Sequence, residues 1–282
     1  MPHLFVSLLL SARIVCISIL ILTFLLSLIR RIGGDAGIST ALCRAPLLDA
    51  IVASMTWLPW VVCAVVFGWV GVLGSLIGQF IALGVWCMAH ELAHREAARG
   101  PRIVKFINRS AGRWQNHVAL WVTLVALPGF WMIRFVEMFA YWPLVVLLKF
   151  PKYNQAEWVN VSRHKFEGLV GHDLIWCLYC DWMTGVYSLG AEMLRNVESF
   201  WCPIRFYDGK KCDNCKIDFP DITGGWVEPG KTMNDVVTVM EQQYGEGRRE
   251  WFGHPARLTV NGKPLHSSSD ELGAESTDQV QM

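Results

Sequence analysis

Charged residues are scarce in this chain of 282 residues. Lys, Arg, Asp and Glu make up only 17% of it, and their charges nearly cancel to a formal net charge of +1. A balance of this kind creates no global positive field, so it argues against nucleic acid as a partner. The charged share also lies below that of an average soluble domain, and no internal repeat indicates a solenoid.

Apolar residues take the place of the missing charge. Hydrophobic residues form 53% of the chain and include 14 Trp and 14 Phe, rings that suit membrane interfaces. About 20 apolar residues are needed to cross a bilayer. Three segments reach that length, at residues 4–29, 47–73 and 74–93, and the glycine-rich residues 71–74 predict a tight hairpin between the second and third.

Residues 117–150 form a fourth apolar segment, interrupted by Pro128 and Pro143. Arg134 and Glu137 lie three residues apart in its middle, a spacing that predicts an ion pair on one helix face. The segment is either one long span or a hairpin of two shorter helices. A hairpin that returns to the cytoplasm is preferred, because basic residues follow it and because the later cysteines would then stay reduced.

Basic residues predict the orientation of the spans. Arg30 and Arg31 follow the first span, and six basic residues follow the third within residues 95–113. The positive-inside rule places both stretches in the cytoplasm and the N-terminus outside. The basic run is explained by this role and by contact with anionic lipid, without nucleic acid.

The most informative motif lies where the third span ends, at His90-Glu91-Leu92-Ala93-His94. Two histidines four residues apart share one helix face, so both imidazoles can reach one metal ion. The glutamate between them can then act on a metal-bound water. Chance alone would produce H-E-x-x-H in only about 1% of chains of this length. The motif therefore predicts His90 and His94 as zinc ligands and Glu91 as the catalytic base.

The segment from His90 to Gly100 resembles the site-2-protease family of intramembrane zinc metalloproteases. That family shows an apolar helix, then H-E-x-x-H, then a small and basic stretch with a glycine. The resemblance covers about thirty residues and implies zinc hydrolysis of a membrane peptide. The family's third ligand is an aspartate in a Leu-Asp-Gly motif, which this sequence lacks. Asp173 and Asp181 are the nearest substitutes for that ligand.

Additional histidines favour a second hypothesis, a membrane oxidoreductase with two iron ions such as a desaturase or hydroxylase. His164 and His172, with Glu167 and His117, would complete an iron site together with the H-E-x-x-H histidines. The resemblance to such enzymes is confined to H-x-x-x-H, since their paired-histidine boxes are absent.

Nine cysteines are present, and those of the second half cluster. Two pairs have the C-x-x-C spacing that suits zinc or a redox pair in a reducing compartment. A structural zinc is the leading interpretation, a redox pair the second and an iron–sulfur site the third. The candidate ligands are Cys202, Cys212 and Cys215, with Cys177 or Cys180 as the fourth.

The sequence thus predicts a mainly α-helical polytopic membrane protein with about four spans and a small, cysteine-containing α+β C-terminal domain. Its expected parts are a transmembrane region (1–150), a membrane-associated cysteine-rich region (151–218), a small soluble domain (219–266) and a disordered tail (267–282). The soluble domain should contain a helix at residues 234–244 and a hairpin around Asn261-Gly262.

Three functions are compatible with these features. The first is a zinc-dependent membrane hydrolase acting on a membrane peptide or lipid at the cytoplasmic face. The second is the iron oxidoreductase. The third is a non-enzymatic scaffold or assembly factor with a structural zinc.

Overall fold

A computed structural model of the chain describes residues 2–34, 37–150, 152–204, 227–228, 230–244, 259–260 and 263–264. Over these residues the chain is mainly helical, as predicted. The helices of the first half are α1 (Pro2–Gly33), α2 (Ile38–Leu42), α3 (Leu47–Met55), α4 (Leu58–Phe67), α5 (Trp69–Ala93), α6 (Arg95–Arg99) and α7 (Ile103–Ala111). They are followed by α8 (Arg113–Thr123), α9 (Leu127–Phe135), α10 (Tyr141–Leu148), α11 (Gln155–Trp158), α12 (Gly171–Trp201) and α13 (Met233–Tyr244).

Short irregular helices join several of these elements. A 3-10 turn, Leu124–Ala126, connects α8 to α9, and a π-helical turn, Val136–Ala140, connects α9 to α10. A second 3-10 turn, Arg163–Lys165, precedes α12.

Among the residues that the structure describes, three helical stretches are long and apolar enough to cross a membrane, namely His3–Gly33, Trp69–Ala93 and Arg113–Leu148. Helices α3 and α4 meet the same criteria only together, as a pair bent by 49°. This agrees with the predicted number of spans and is consistent with an integral membrane protein. Large apolar side chains such as Phe24 are exposed along α1, as contact with lipid requires.

Helices α1 and α5 pack closely because small residues face each other. Ser11 and Ala12 on α1 are buried. A Cβ atom added to Gly74 would meet Leu8 and Ser11, and one added to Gly78 would meet the Ala12 backbone. Small residues four apart permit this close backbone approach between membrane helices. The contact positions rise together along both helices, so α1 and α5 run parallel and finish at the same end.

The turn before α5 lies at Gly68, and the hairpin predicted at residues 71–74 is therefore wrong. Gly68 has a φ of 67°, in the left-handed region that glycine adopts without steric cost. Gly71 and Gly74 lie inside α5, where a Cβ atom would collide with Cys63 and Ser11 respectively. These two glycines serve helix packing, and Gly68 makes the turn.

Two further expectations are corrected. The predicted second span is broken, because α3 ends at Met55 and α4 begins at Leu58, followed by Pro59. The preferred hairpin at residues 117–150 is not formed, since Arg113–Leu148 is one helical stretch of 36 residues. Pro128 and Pro143 lie within this stretch, shortly after the 3-10 turn Leu124–Ala126 and the π-helical turn Val136–Ala140, and such irregular turns accommodate the missing N–H of proline.

The chain divides into two compact units. Unit 1 comprises Met1–Phe130 and Gln155–Val186, and unit 2 comprises Trp131–Asn154 and Tyr187–Met282. The core of unit 1 contains Trp182, which is almost completely buried and donates a hydrogen bond from its indole N–H to Asp49 Oδ1 at 3.2 Å. The core of unit 2 includes Leu189, which is completely buried.

Little of the predicted α+β domain at residues 219–266 belongs to the described residues. Helix α13 matches the predicted helix. Two-residue strands, β1 (Thr259–Val260) and β2 (Lys263–Pro264), pair antiparallel on either side of the predicted turn. The turn residues Asn261 and Gly262, and the tail predicted to be disordered, lie outside the described residues. The described residues do not support a packed α+β domain.

Candidate functional site

The H-E-x-x-H segment lies at the end of α5. The helix ends at Ala93, and His94 leaves the helical conformation with φ −118° and ψ 53°. The rings of His90 and His94 nevertheless stack, with centroids 4.3 Å apart. The two imidazoles therefore share one face, as the spacing predicts.

The start of α12 packs directly against this segment. The backbone N–H of Gly171 donates a hydrogen bond to His90 Nδ1 at 3.2 Å. Gly171 has a φ of 52°, and a Cβ atom at this position would collide with the Glu91 side chain. Only glycine combines this backbone conformation with so close an approach.

Arg102 links the motif to Asp173. Its Nη1 lies 2.8 Å from Glu91 Oε1, and its Nε lies 3.0 Å from Asp173 Oδ2. The side chains of Arg102 and Asp173 are only 7% and 6% exposed, whereas that of Glu91 is 33% exposed. These three residues are called the polar clamp below, and they join the end of α5 to the beginning of α12.

Backbone groups complete the polar clamp. Arg102 Nη2 donates to the Val170 carbonyl at 3.1 Å, and the Val104 N–H donates to Asp173 Oδ1 at 3.1 Å. Asp173 therefore accepts a hydrogen bond from the first turn of α7 while lying in the first turn of its own helix. A carboxylate is favoured at both helix N-termini by the helix dipoles.

Electrostatics hold the buried pair in its charged form. Burial alone would lower the pKa of Arg102, but hydrogen bonds to Asp173 and Glu91 outweigh it and leave that pKa raised. Burial alone would raise the pKa of Asp173, but the adjacent His172 and the hydrogen bonds and charge of Arg102 leave that pKa lowered. The pair is thus a charge-assisted contact of the strong kind.

Hydrogen bonds also determine the tautomers of the histidines. His90 Nδ1 accepts from a backbone N–H, so its ring proton is on Nε2. His94 Nδ1 lies 3.0 Å from the His90 carbonyl, which can only accept, so His94 carries its proton on Nδ1. His172 Nε2 accepts from the Trp176 indole N–H at 3.0 Å. Of the two motif histidines, only His94 has a neutral tautomer that leaves Nε2 free to bind zinc.

The other predicted ligands in unit 1 lie at different places. Asp181 Oδ2 accepts the N–H groups of Ser162 and Arg163 at 2.7 and 3.1 Å. His164 Nε2 lies 3.8 Å from Cys43 Sγ, directly after α2. His117 and His172 do meet, edge to face, with centroids 5.5 Å apart.

The cysteines of the predicted structural zinc are only partly described. Cys177 and Cys180 lie beside Arg163, and burial raises the pKa of Cys177 although Arg163 opposes the shift. Cys202 directly follows α12 and is exposed. Cys212 and Cys215 lie outside the described residues, so the zinc of this cluster stays a prediction.

Among the described residues, no three His, Cys, Asp or Glu side chains are grouped so that they could hold a metal ion. In the H-E-x-x-H region the guanidinium of Arg102 lies between the carboxylates of Glu91 and Asp173 and supplies the positive charge that both contact.

A second polar cluster lies in unit 2, and the sequence predicted only two of its residues. Arg134 and Glu137 form the expected ion pair at 2.6 Å and are both buried. Sequence reasoning missed Glu192 and Asn196, which are buried on α12. Asn196 Nδ2 donates to the Tyr153 hydroxyl at 2.5 Å.

A signal for this cluster existed in the sequence. Glu192 and Asn196 are four residues apart, hence on one face of α12, and that face also carries the buried Leu189. Gly190 allows α12 to approach the Glu137 carboxylate, since a Cβ atom there would lie 3.2 Å from Glu137 Oε1.

Comparison of the chain with protein families, with curated proteins and with solved structures gives no match.

Proposed function

We propose that the chain is a non-enzymatic membrane scaffold in which the H-E-x-x-H segment has a structural task. The observation that carries the proposal is the position of Arg102, which binds the carboxylates of Glu91 and Asp173 at 2.8 and 3.0 Å. The polar clamp fastens α12 to the end of a helix that is apolar enough to cross the membrane.

The protonation pattern supports this proposal over zinc hydrolysis. A general base has to reach a metal-bound water with a free carboxylate, and Glu91 is engaged by Arg102. A neutral histidine offers zinc its unprotonated nitrogen, and in His90 that nitrogen is occupied by the Gly171 N–H.

The scaffold would lie in a bilayer with its N-terminus outside and with the polar clamp and C-terminal region in the cytoplasm. Its predicted structural zinc would be bound by Cys202, Cys212 and Cys215, with Cys177 or Cys180. A reducing cytoplasm would keep these thiols available for the metal.

Metal analysis of purified protein tests the proposal. We expect zinc that persists in His90→Ala and is lost in Cys212→Ala. We also expect Glu91→Gln to lower the thermal unfolding temperature in detergent, because a structural contact is removed. Zinc that disappears in both His90→Ala and His94→Ala while the unfolding temperature is unchanged would refute the scaffold and establish the motif as a metal site.

Zinc-dependent hydrolysis of a membrane peptide or lipid is the second candidate, favoured by the geometry of His94. Its Nδ1–H donates to the His90 carbonyl and leaves Nε2 as a ligand of the usual type. In this case Arg102 acts as a placeholder that zinc displaces. Arg102→Gln should then bind added zinc more tightly than the unmodified protein, and His94→Ala in the same background should abolish the gain.

A further inference from the structure

A cavity of about 180 Å³ lies between α5, α8 and α12. Phe80, Gly84 and Cys87 line it from α5, Trp121 lines it from α8, and His172 and Trp176 line it from α12. All of these residues belong to unit 1. The cavity borders the final turns of α5 before the polar clamp, within a helix apolar enough to cross the membrane.

Aromatic rings make the walls of this cavity. The ring centroids of Phe80 and Trp121 are 5.0 Å apart, and those of Trp121 and Trp176 are 5.6 Å apart in an edge-to-face arrangement. Such contacts stabilise aromatic side chains in fixed positions. The walls are therefore preformed.

Few polar groups border the cavity, and two of them bind each other. The Trp176 indole N–H donates to His172 Nε2 at 3.0 Å, so neither atom is available to water or to a polar ligand. The Nδ1 atom of His172 is buried and lies 3.9 Å from Asp173 Oδ1. The rest of the lining is mainly apolar, and apolar cavities of about 150 Å³ accept a small hydrocarbon.

Gly84 opens the cavity on the α5 side. A Cβ atom added there would meet no atom within 4 Å, in contrast to Gly74 and Gly78 on the same helix. Phe80, one turn earlier, is 53% exposed along this apolar helix. In a bilayer the hydrocarbon next to such an exposed face comes from lipid chains.

We propose that this cavity is a binding site for a hydrocarbon segment of a single membrane lipid. The lipid chain fills a preformed, aromatic-walled space, and the empty volume beside Gly84 receives it. The site does not depend on the role assigned to the H-E-x-x-H segment.

Photo-crosslinking in nanodiscs tests the proposal. The probe is phosphatidylcholine that carries a diazirine at the end of one acyl chain, diluted into unlabelled phosphatidylcholine, with adducts mapped by mass spectrometry. We expect adducts on Cys87, Trp121 or Trp176 that saturate as the probe fraction rises. Adducts on Phe24, a lipid-exposed residue of α1, should rise linearly and serve as the internal reference.

Gly84→Leu fills the cavity and should abolish the saturable adducts while leaving those on Phe24 unchanged. Gly129→Leu is the matched control, because a side chain there also meets no atom within 4 Å and Gly129 does not line the cavity. Adducts that persist in folded Gly84→Leu overturn the site. If that variant does not fold, the unmodified protein decides, since a linear rise at Cys87, Trp121 and Trp176 overturns it equally.

Discussion

The two acidic partners of Arg102 in the polar clamp differ in how far their side chains are buried. Asp173 is nearly as buried as Arg102 itself, whereas Glu91 keeps a third of its side chain exposed. Removing one member of a buried ion pair leaves a charge without compensation in a region that water cannot reach. The exposed member, by contrast, can be solvated when its partner is lost.

Replacing Arg102 with Met should therefore destabilise the protein far more than replacing Glu91 with Gln. We expect a loss of about 3 kcal/mol for Arg102→Met and about 1 kcal/mol for Glu91→Gln. Unfolding in detergent, followed by tryptophan fluorescence, measures both. Arg109→Met, which removes an exposed arginine of α7, is the control and should be nearly neutral; an equal loss in Arg102→Met and Arg109→Met contradicts the role of Arg102.

The lowered pKa of Asp173 predicts how the stability of the folded protein changes at acid pH. Its carboxylate contributes stability above its ordinary pKa of 3.8, and this contribution is lost as the pH falls through the lower folded value. Asp173→Asn should be less stable than the unmodified protein at neutral pH and lose less stability on acidification. Unfolding temperatures measured across the acid range test this, with Glu96→Gln as the control. Parallel curves for Asp173→Asn and the unmodified protein would show that protonation of Asp173 is not linked to stability.

The sequence predicted only part of the polar clamp. The sequence named both Asp173 and Asp181 as possible third metal ligands and did not choose between them. The structure brings Asp173 next to Glu91 through one arginine, whereas Asp181 binds the N–H groups of Ser162 and Arg163. Arg102 was not nominated, because it belongs to a run of six basic residues that orientation alone explains. Only the three-dimensional structure shows that Arg102 is the residue of this run whose side chain is buried against the two carboxylates.

At the scale of elements, α5 uses its glycines in two different ways. Gly74 and Gly78 lie against α1, where a side chain would collide, while Gly84 borders open space. Glycine destabilises a helix by about 1 kcal/mol relative to alanine. It is retained in the packed positions because backbone approach requires it.

Alanine at two of these glycines should have opposite effects. Gly78→Ala should lower the unfolding free energy by about 1–3 kcal/mol, since the new methyl group collides with the Ala12 backbone. Gly84→Ala should be neutral or stabilising by up to about 1 kcal/mol. The two variants are controls for each other in one helix, and destabilisation of equal size would show that α1 does not approach α5 at Gly78.

The elements themselves were easier to predict than their boundaries. Long apolar runs identified the membrane helices, because length and hydropathy decide that question locally. The prediction placed the turn at residues 71–74, three residues beyond its position at Gly68, because glycine is common both in turns and at close helix contacts. The prediction treated Pro128 and Pro143 as helix breakers, although both lie within the helical stretch Arg113–Leu148.

At the scale of the whole molecule, the parallel arrangement of α1 and α5 brings two basic flanks together. Arg30 and Arg31 end α1, and the basic run follows α5 at the same end of the helix pair. Such an arrangement satisfies the positive-inside rule with one orientation. Residues 155–165 return to this end, since Arg30 Nη2 donates to the His164 carbonyl at 3.2 Å and the Ala45 N–H donates to the Val159 carbonyl at 2.9 Å.

This return has a consequence for the stretch Arg113–Leu148, which is apolar enough to cross the membrane. A single complete crossing would deliver residues 155–165 to the opposite face, away from Arg30. We therefore expect that, of the candidate spans, Arg113–Leu148 does not make a single complete crossing and that residue 155 lies at the same face as Arg30. Helices α1 and α5 and the α3–α4 pair then account for the crossings up to that point.

Glycosylation mapping in microsomes tests this topology with a site that the chain already contains. Asn160-Val161-Ser162 is an acceptor sequence, and we expect it to stay unmodified because the positive-inside rule places this end of the helices in the cytoplasm. An acceptor on an N-terminal extension should be modified, since the same rule places the N-terminus outside. Arg30→Gln combined with Arg31→Gln should reduce the modified fraction, because it removes the flank that orients α1. Asn160→Gln provides the control for band assignment. Modification at Asn160 together with an unmodified N-terminus would contradict the proposed orientation and support the reverse one.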